Sequence, residues 1–503
     1  MIKKYLYILS AAALIASCEE DYIAVTPLEP QAPVVDDTEY TSGSADFTTF
    51  VSVGNSLTAG YSDNALFIDG QMTSFPYNLA MQMSLAGGGD FTQPMMADNL
   101  GGMTFGGNPI SGNRLYLADP FGSPAPAPVE GQGTTEVTNR LSGPFNNMGV
   151  PGAKSYHLLA DGYGAMAGVP LGLANPYYAR MATSDAANVA ADAMSMSPTF
   201  FSLWIGNNDI LGYATSGGVG EDHNETMNLD PSTYGGNDIT NNNVFAQVYT
   251  GLVQTMISGG AQGILTNIPD VTTIPYFTTV PYNAIPLDAA TAGALNAAFA
   301  EYNAGINQIK DLGMITADEA AARQVNFVEG NNAVLLLDED LTDLTSVNPA
   351  LTNMRQATMD DLLVFTSSTF LGTPADPNNP LLINGVSVPL EDKWVLTSTE
   401  VQRVQVAQTS YNQTIASMAA TYGLALFDAE EALTQLATTG IAMDGLTTTS
   451  TYATGGAFSL DGVHPSPRGY AIISNLMLQV INSQYGSNLP QINTKDFTGV
   501  YLN

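Results

Sequence analysis

Cysteine is almost absent from the sequence. Cys18 is the single cysteine among 503 residues, so the chain cannot form an internal disulfide. Small secreted folds that depend on several disulfides are therefore excluded. The fold must be held together by a hydrophobic core, and hydrophobic residues make up 45% of the sequence, which is enough to build one.

Basic residues are also scarce. The chain has 13 Lys and Arg against 47 Asp and Glu, which gives a formal net charge of −34 at pH 7. A surface of this charge repels nucleic acid and anionic lipid headgroups, so we expect no nucleic-acid partner. The acidic residues are dispersed along the chain rather than grouped in blocks, which indicates a solvated surface.

No apolar run after the N-terminus is long enough to cross a membrane. Residues 5–17 are apolar but too short to span a bilayer, and they follow Lys3 and Lys4, as in the central region of a signal peptide. The sequence LIASC at its end resembles a bacterial lipobox, which implies cleavage before Cys18 and lipidation of that residue. An ordinary secretory signal is the alternative. We expect residues 1–18 to be a lipoprotein signal peptide and the protein to be lipid-anchored in the outer membrane of the cell envelope.

The rest of the chain divides into a tether, a folded part and a tail. Residues 19–47 are rich in Pro, Ser, Thr and acidic residues without apolar periodicity, which predicts an extended tether. The folded domain is predicted at 48–490, with a C-terminal tail at 491–503. Its Gly-rich or irregular stretches are interpreted as insertions into one core, at about 62–145, 210–245 and 314–397.

Short apolar runs that end at a Gly, Asn or Pro turn recur along the folded part. They lie at 47–54, 197–206 and 260–269, and a fourth begins at Leu424. Such runs are typical of parallel strands that are buried on both faces. Alanine-rich helical patterns separate them, at 184–196, 288–313 and 398–423. This alternation predicts an α/β fold with a doubly wound parallel sheet.

Ser56 follows the first predicted strand directly, in the sequence GNSL (54–57). Ligands of open parallel sheets bind beyond the carboxyl ends of the strands, so this serine is placed to act as a nucleophile near a helix N-terminus. The surrounding sequence lacks the G-x-S-x-G pattern of an α/β-hydrolase elbow. An ordinary turn serine would look the same, so the hypothesis requires a base, an acid and an oxyanion hole elsewhere in the chain.

Histidine is rare as well, since only His157, His223 and His464 are present. No two of them have zinc-binding spacing, so no metal and no cofactor are predicted. His464 lies in the sequence DGVH, three residues after Asp461. A carboxylate there could accept a hydrogen bond from Nδ1–H and leave Nε2 to take a serine proton. We assign His157 and His223 to structural roles.

Two further segments could supply donors to an oxyanion hole. Gly152 lies in the turn of NNMGVPGAKS, where its N–H could be exposed, and Asn208 follows the strand in WIGNNDIL, where its side-chain amide could donate. Each is also an ordinary turn former. Lys154 lies near Gly152, and we interpret it as a surface charge.

Together the segments GNSL, GVPG, GNND and DGVH resemble, in the same order, the four sequence blocks of the SGNH hydrolases, also called GDSL lipases and esterases. The resemblance implies that Ser56 is the nucleophile and an oxyanion-hole donor. It implies that Gly152 and Asn208 complete the hole, and that His464 is the base, oriented by Asp461. The fold it implies is a three-layer α/β/α sandwich around a five-stranded parallel sheet, as in flavodoxin-like folds.

One position departs from the family pattern, because Asn55 stands where the family usually has Asp. Asn keeps the size and the hydrogen bonding but removes a charge. The whole pattern, lipobox included, resembles the large SGNH hydrolase lipoproteins of Bacteroidetes. It implies cofactor-free hydrolysis of a lipid, glycan or small-molecule ester through an acyl-serine intermediate. A polysaccharide O-deacetylase, an acyltransferase or a catalytically silent surface-binding lipoprotein are the alternatives.

Six methionines lie in the first predicted insertion. Flexible apolar side chains could line a groove for acyl chains, or they could fill a core beneath a large loop. These residues are Met72, Met81, Met83, Met95, Met96 and Met103.

Overall fold

The centre of the protein is a sheet of five parallel strands. The computed structural model describes residues 38–502. Neighbouring strands are all parallel, and the order across the sheet is β2-β1-β3-β4-β5. The predicted α/β fold and the five-stranded parallel sheet are confirmed. The strands are β1 (Phe50–Gly54), β2 (Asn147–Gly149), β3 (Phe200–Trp204), β4 (Gln262–Thr266) and β5 (Ala425–Phe427).

Four of these strands lie within segments that the apolar runs predict, and β2 does not. Its three residues give no periodic signal of their own. Smaller two- and three-stranded sheets lie outside the central one. Their strands are Met103–Phe105, Asn108–Pro109, Leu115–Ala118, Ala125–Pro128, Thr135–Glu136, Ile285–Leu287, Gly330–Asn332, Leu335–Leu337, Met354–Gln356, Leu362–Leu363, Pro374–Asp376, Asn379–Ile383, Val395–Leu396, Ile441–Met443 and Leu446–Thr448.

Helices follow or precede each strand of the central sheet. The pattern at 184–196 gives one helix, the pattern at 398–423 gives another, and the pattern at 288–313 gives two. The α-helices are α1 (Ser56–Ala59), α2 (Ile68–Met72), α3 (Phe75–Ser84), α4 (Pro176–Met181), α5 (Val189–Met194), α6 (Asn208–Thr215), α7 (Asn242–Ile257), α8 (Pro275–Thr278), α9 (Ala289–Ala298), α10 (Ala300–Asp311), α11 (Ala317–Ala322), α12 (Ser398–Tyr422), α13 (Ala429–Thr438) and α14 (Pro467–Tyr485).

The ends of the two longest helices are fixed by their sequence. Helix α12 begins with a capping box between Thr397 and Glu400 and ends at Gly423, whose φ of 65° is left-handed. Helix α14 begins at Pro467 after the N-cap Ser466, whose side chain accepts from a backbone N–H. No helix within residues 38–502 is long and apolar enough to span a membrane.

Alternate side chains of the sheet enter two different hydrophobic clusters. Val51 and Val53 of β1 belong to a cluster that includes residues of α5, α7 and α12. Phe50 of the same strand belongs to a second cluster, which includes residues of α3 and α14. Because successive side chains of a strand point to opposite faces, each face of the sheet is covered by apolar side chains.

The predicted insertions differ in how they relate to this core. Helix α3 lies within the stretch predicted as the first insertion, yet its residues Phe75 and Leu79 are fully buried against the sheet. Two further clusters extend from Val280 to Val395. The region with its own apolar clusters therefore begins earlier than 314, and it includes α9 and α10.

The ends of the described chain pack onto the fold more closely than predicted. Ala45 and Phe47 are buried, although they fall in the predicted tether. In the predicted tail, Tyr501 packs under the guanidinium of Arg114, 4.7 Å from its ring centroid. The predicted signal peptide, Cys18 and the tether up to residue 37 lie outside the described residues.

Candidate active site

Ser56 is held at a sharp turn between strand and helix. Strand β1 ends at Gly54, where a Cβ atom would lie 2.3 Å from the carbonyl oxygen of Trp204, so only glycine fits there. Asn55 is the N-cap of α1 and accepts a hydrogen bond from the N–H of Leu57. Ser56 is then the first residue of the helix, at the carboxyl end of the sheet.

His464 and Asp461 complete a hydrogen-bonded chain with this serine. Nε2 of His464 lies 2.9 Å from Oγ of Ser56, and Nδ1 lies 2.9 Å from Oδ2 of Asp461. The ring of Tyr61 packs beside the imidazole, with the ring centroids 4.6 Å apart. The structure therefore brings together three residues that the sequence predicted to act as one unit, in the geometry that proton transfer from serine to histidine needs.

The Asp461 carboxylate is surrounded by donors. Oδ1 accepts hydrogen bonds from Ser459 Oγ, from Val463 N and from the backbone N–H of His464. Oδ2 accepts from the N–H of Asn64 in addition to the imidazole. Burial alone would raise the pKa of this carboxyl, but the charge of His464 and these hydrogen bonds outweigh it and hold the pKa at about 2. The group is therefore ionised at neutral pH and can stabilise an imidazolium.

A turn directly after α1, which the sequence reasoning missed, fixes the loop that carries Asp461. Oδ1 of Asp63 accepts from Leu460 N, and the N–H of Asp63 donates to Ser459 Oγ. Asp63 and Asn64 have φ values of 51° and 64°, in the left-handed region that Asp and Asn tolerate best after Gly. The adjacent Asp and Asn therefore indicate a turn in the sequence, but nothing in the sequence indicates that this turn binds the segment around Ser459 and Leu460.

The buried Asp63 carboxyl predicts a pH-dependent stability. Burial, the largest cause, raises its pKa from 3.8 to about 7. The folded state thus binds this proton more tightly than the unfolded chain, so the contribution of Asp63 to stability is largest below about pH 4 and is lost as the pH rises through about 7. The unfolding free energy is to be measured by urea titration at pH 5 and at pH 8. Its loss between these two pH values should be about 2 kcal/mol smaller in Asp63→Asn than in the wild type.

The control for this measurement is Asp230→Asn, an exposed carboxylate that caps a short turn. Its pKa is lowered by hydrogen bonds from Ser232, so the Asp230 carboxyl is unprotonated in both the folded and the unfolded state between pH 5 and pH 8. Asp230→Asn should therefore keep the wild-type pH dependence of the unfolding free energy. Identical pH dependence in Asp63→Asn and the wild type would contradict the assignment.

The three predicted oxyanion donors lie at the same edge of the sheet. Within residues 38–502, no acceptor is bonded to the backbone N–H of Ser56 or of Gly152. Gly152 has a φ of 80°, which explains the glycine in this turn. Nδ2 of Asn208 donates to the carbonyl of Ala153 at 2.8 Å, which leaves its second amide hydrogen available.

Contacts between the loops hold these donors in place. Gly54 and Gly149 are paired across β1 and β2, which brings the Gly152 turn alongside α1. Nδ2 of Asn55 lies 3.4 Å from Oδ1 of Asn207 and links the loops after β1 and β3. Strands β1 and β3 are neighbours in the sheet. After β1 the chain continues to β2 on one side of this pair, and after β3 it continues to β4 on the other side. Open α/β sheets bind ligands at such a position.

An apolar cavity of about 120 Å³ opens beside Ser56, Asn208 and His464. Its walls come from the ends of β3 and β5 and from α13 and α14. None of the six methionines of the first insertion lines it, and Met83, Met96 and Met103 are buried in other clusters. The apolar side chains that line the cavity include Trp204, Leu211, Phe427, Leu433, Leu436 and Ile472.

The other two histidines have structural surroundings, as predicted. His157 accepts a hydrogen bond from the N–H of Lys154 and stacks on Tyr163, and burial lowers its pKa to about 4, so it is neutral. His223 is buried, and its Nε2 lies 2.9 Å from Oδ2 of Asp238. Neither lines the cavity beside Ser56.

The prediction for Lys154 was wrong, because this residue is buried rather than on the surface. Its side chain is 3% exposed, and Nζ donates to the carbonyl oxygens of Gly235 and Asp238. Two backbone acceptors offset part of the cost of burying the ammonium. The lysine therefore fastens the loop before α7 to the Gly152 turn.

Comparison of the chain with protein-family models, with curated proteins and with solved structures found no match.

Proposed function

We propose that this protein is a serine-dependent carboxylic ester hydrolase that works through an acyl-serine intermediate. The observation that carries the proposal is the continuous chain from Asp461 through His464 to Ser56, with both hydrogen bonds at 2.9 Å. A turn serine with a structural role has no need of a histidine whose other nitrogen is held by an ionised carboxylate.

The reaction proceeds in two halves. Oγ of Ser56 attacks the ester carbonyl carbon while Nε2 of His464 takes the hydroxyl proton, and the carbonyl π electrons move onto oxygen. When this intermediate collapses, the bond to the alcohol oxygen breaks and the imidazolium protonates the leaving alkoxide. Water then attacks the acyl-serine in the same way, which releases the acid and returns the proton to Ser56.

We assign the oxyanion hole to the N–H groups of Ser56 and Gly152 and to the side chain of Asn208. Two of these donors have no other partner within residues 38–502, and the third has one amide hydrogen to spare. Donors that are already oriented stabilise developing charge without reorganisation. Asn55 is uncharged, so it places no negative charge beside the oxyanion that these donors would stabilise.

The architecture supports membership of the SGNH hydrolases. Apolar clusters on both faces of the sheet, with helices in each, support the proposal of a three-layer α/β/α sandwich. The strand order β2-β1-β3-β4-β5 is that of flavodoxin-like folds. We further propose that the protein is exported and lipid-anchored through Cys18, with an envelope ester as its substrate.

The cavity favours an acyl group longer than acetyl. Its apolar walls would exclude water from a hydrocarbon chain, and each buried methylene contributes about 0.8 kcal/mol. A cavity of about 120 Å³ is somewhat smaller than the roughly 150 Å³ that holds a benzene molecule. We therefore expect the best p-nitrophenyl ester substrates to carry acyl chains of about four to six carbons.

Narrowing the cavity should change this preference. Ala432 lines it from α13 and is partly exposed, so Ala432→Trp fills space without disturbing the core. We expect kcat/KM to fall about 10–100-fold for p-nitrophenyl hexanoate and to stay within about threefold for the acetate. The exposed Ala437 of the same helix does not line the cavity, and Ala437→Trp is the matched control. Equal losses on both esters would contradict the assigned acyl site.

The test of the proposed activity is turnover of this ester series by the wild-type protein and by Ser56→Ala. Turnover that depends on Ser56 supports the hydrolase. A fluorophosphonate probe then separates the remaining readings, because it labels an activated serine whatever the natural substrate. Absence of both turnover and labelling would leave a silent binding protein.

A further inference from the structure

Three carboxylates from separate segments converge outside the cavity of the proposed active site. Glu339 follows a short strand, Asp392 begins a 3-10 helix, and Glu400 lies in the first turn of α12. One carboxylate oxygen from each residue lies within 4.8 Å of the other two. Like charges this close repel each other, so an isolated cluster of this kind would be unfavourable.

Two oxygens of the cluster are buried without a partner. Glu400 is fully buried. Its Oε2 accepts hydrogen bonds from N and Oγ1 of Thr397 at 2.7 and 2.9 Å. Its Oε1 and Oδ1 of Asp392 accept no hydrogen bond from any residue in 38–502. A buried carboxylate oxygen without a donor is costly, so the site needs a positive partner.

The basic side chains closest in sequence to Asp392 and Glu400 do not fill this need. Lys393 is paired with Glu391 at 2.5 Å. Arg403 is paired with Asp340 at 2.8 Å and with Glu225 at 3.1 Å. Within the described part of the chain, no ion pair joins a basic side chain to Glu339, Asp392 or Glu400.

The backbone leaves room for the Glu400 carboxylate. Gly218 has a φ of 86°, and a Cβ atom on it would lie 1.6 Å from Oε1 of Glu400. Only glycine is compatible with both the backbone angle and the contact. The loop after α6 is therefore shaped around the unpartnered oxygen.

We propose that Glu339, Asp392 and Glu400 bind a hard divalent cation of the Ca²⁺ or Mg²⁺ class. Such ions prefer carboxylate oxygens. Two oxygens on opposite sides of a Ca²⁺ ion are about 4.8 Å apart, since each Ca–O distance is about 2.4 Å. Three oxygens that all lie within 4.8 Å of one another are at most about 2.8 Å from a common point, so small side-chain movements bring each of them within the roughly 2.3–2.6 Å of a Ca–O bond. The ion would fasten the segments around residues 339 and 392 to α12.

The competing arrangement is a proton held in the cluster. Burial, followed by repulsion from Glu339, raises the pKa of Glu400 to about 9 in the absence of a cation, so a protonated carboxyl would also relieve the repulsion. A cation site responds to added metal, whereas a protonated cluster does not.

The test is thermal unfolding of the EDTA-treated and dialysed protein with CaCl₂ or MgCl₂ up to about 10 mM, well above a Kd of about 10⁻⁴–10⁻³ M. NaCl at about 150 mM screens the acidic surface. We expect a saturable rise in Tm of about 2–5 °C, and calorimetric titration with the more effective ion should give one site per chain. The result does not depend on ester hydrolysis, so it stands or falls separately from the proposed activity.

Variants locate the site. Glu400→Gln should abolish the rise in Tm. Glu339→Gln should weaken it, and because Glu339 is exposed, this second variant serves as the test if Glu400→Gln folds poorly. Glu391→Gln is the matched control, because it removes the same charge next to Asp392 and should keep the full rise. No rise with either ion in the wild type, or an equal rise in Glu339→Gln and the wild type, would overturn the proposal.

Discussion

Ser56→Ala is expected to lower kcat for p-nitrophenyl butyrate by about 10⁵–10⁶-fold. The substitution removes the atom that forms the acyl-enzyme, and among residues 38–502 no other hydroxyl is bonded to His464. The variant should fold normally, because His464 is the only residue in the described part of the chain that bonds to the Ser56 hydroxyl. The cap of α1 is supplied by Asn55 and is unaffected. The remaining activity should reflect only the oxyanion hole and substrate binding.

Ser52→Ala is the matched control for this loss. Ser52 lies on β1 and is fully buried, and its hydroxyl is bonded to that of Ser202 at 2.6 Å. The same chemical change four residues away should reduce stability modestly and leave kcat within about threefold. More than about one tenth of wild-type activity in Ser56→Ala would remove this serine from the proposed mechanism.

Asp461→Asn is expected to lower kcat by about 10⁴-fold. Both oxygens of Asp461 accept hydrogen bonds, from Asn64 N and the imidazole on one side and from three donors on the other. An amide has one oxygen and one NH₂ group, so in either orientation the NH₂ faces donors. With the NH₂ towards Nδ1, the imidazole must place its proton on Nε2, where it can no longer accept the proton of Ser56.

The measurement is the pH dependence of kcat together with the melting temperature. A loss of activity across the pH range with a nearly unchanged Tm indicates the wrong tautomer, whereas a large drop in Tm indicates that the loop has come apart. Asp444→Asn is the control, because this exposed carboxylate also accepts a hydrogen bond from a backbone N–H, that of Thr494. Full activity in Asp461→Asn would show that His464 needs no oriented carboxylate.

The sheet could be predicted from the sequence because its strands are buried on both faces. Continuous apolar runs such as FFSLW are unambiguous when a Gly or Asn turn follows them. Strand β2 was not predicted, because it consists only of Asn147, Met148 and Gly149, and three residues are too few to show a hydrophobic periodicity. The fold of residues 280–395 also escaped, since its strands have two to five residues and its clusters join segments that are distant in sequence.

The site could be predicted only where a residue type is rare or a pattern is local. Three histidines in 503 residues leave few candidates for a base, and Asp461 is within one turn of His464. Lys154 could not be placed, because its partners are backbone carbonyls more than eighty residues away. The convergence of Glu339 with Glu400 is likewise a property of the fold, because three dispersed acidic residues look like solvated surface in the sequence.

Ser56 and His464 are separated by 408 residues, and this separation would set when the proposed hydrolysis could begin. At about 5–20 residues per second, the base is synthesised on the order of 20–80 s after the nucleophile. Until the last segment has emerged and docked, the serine has no partner to take its proton. Under the proposed mechanism, a nascent chain or one truncated before His464 would be inert, so hydrolysis would report that both ends of the fold are present and joined.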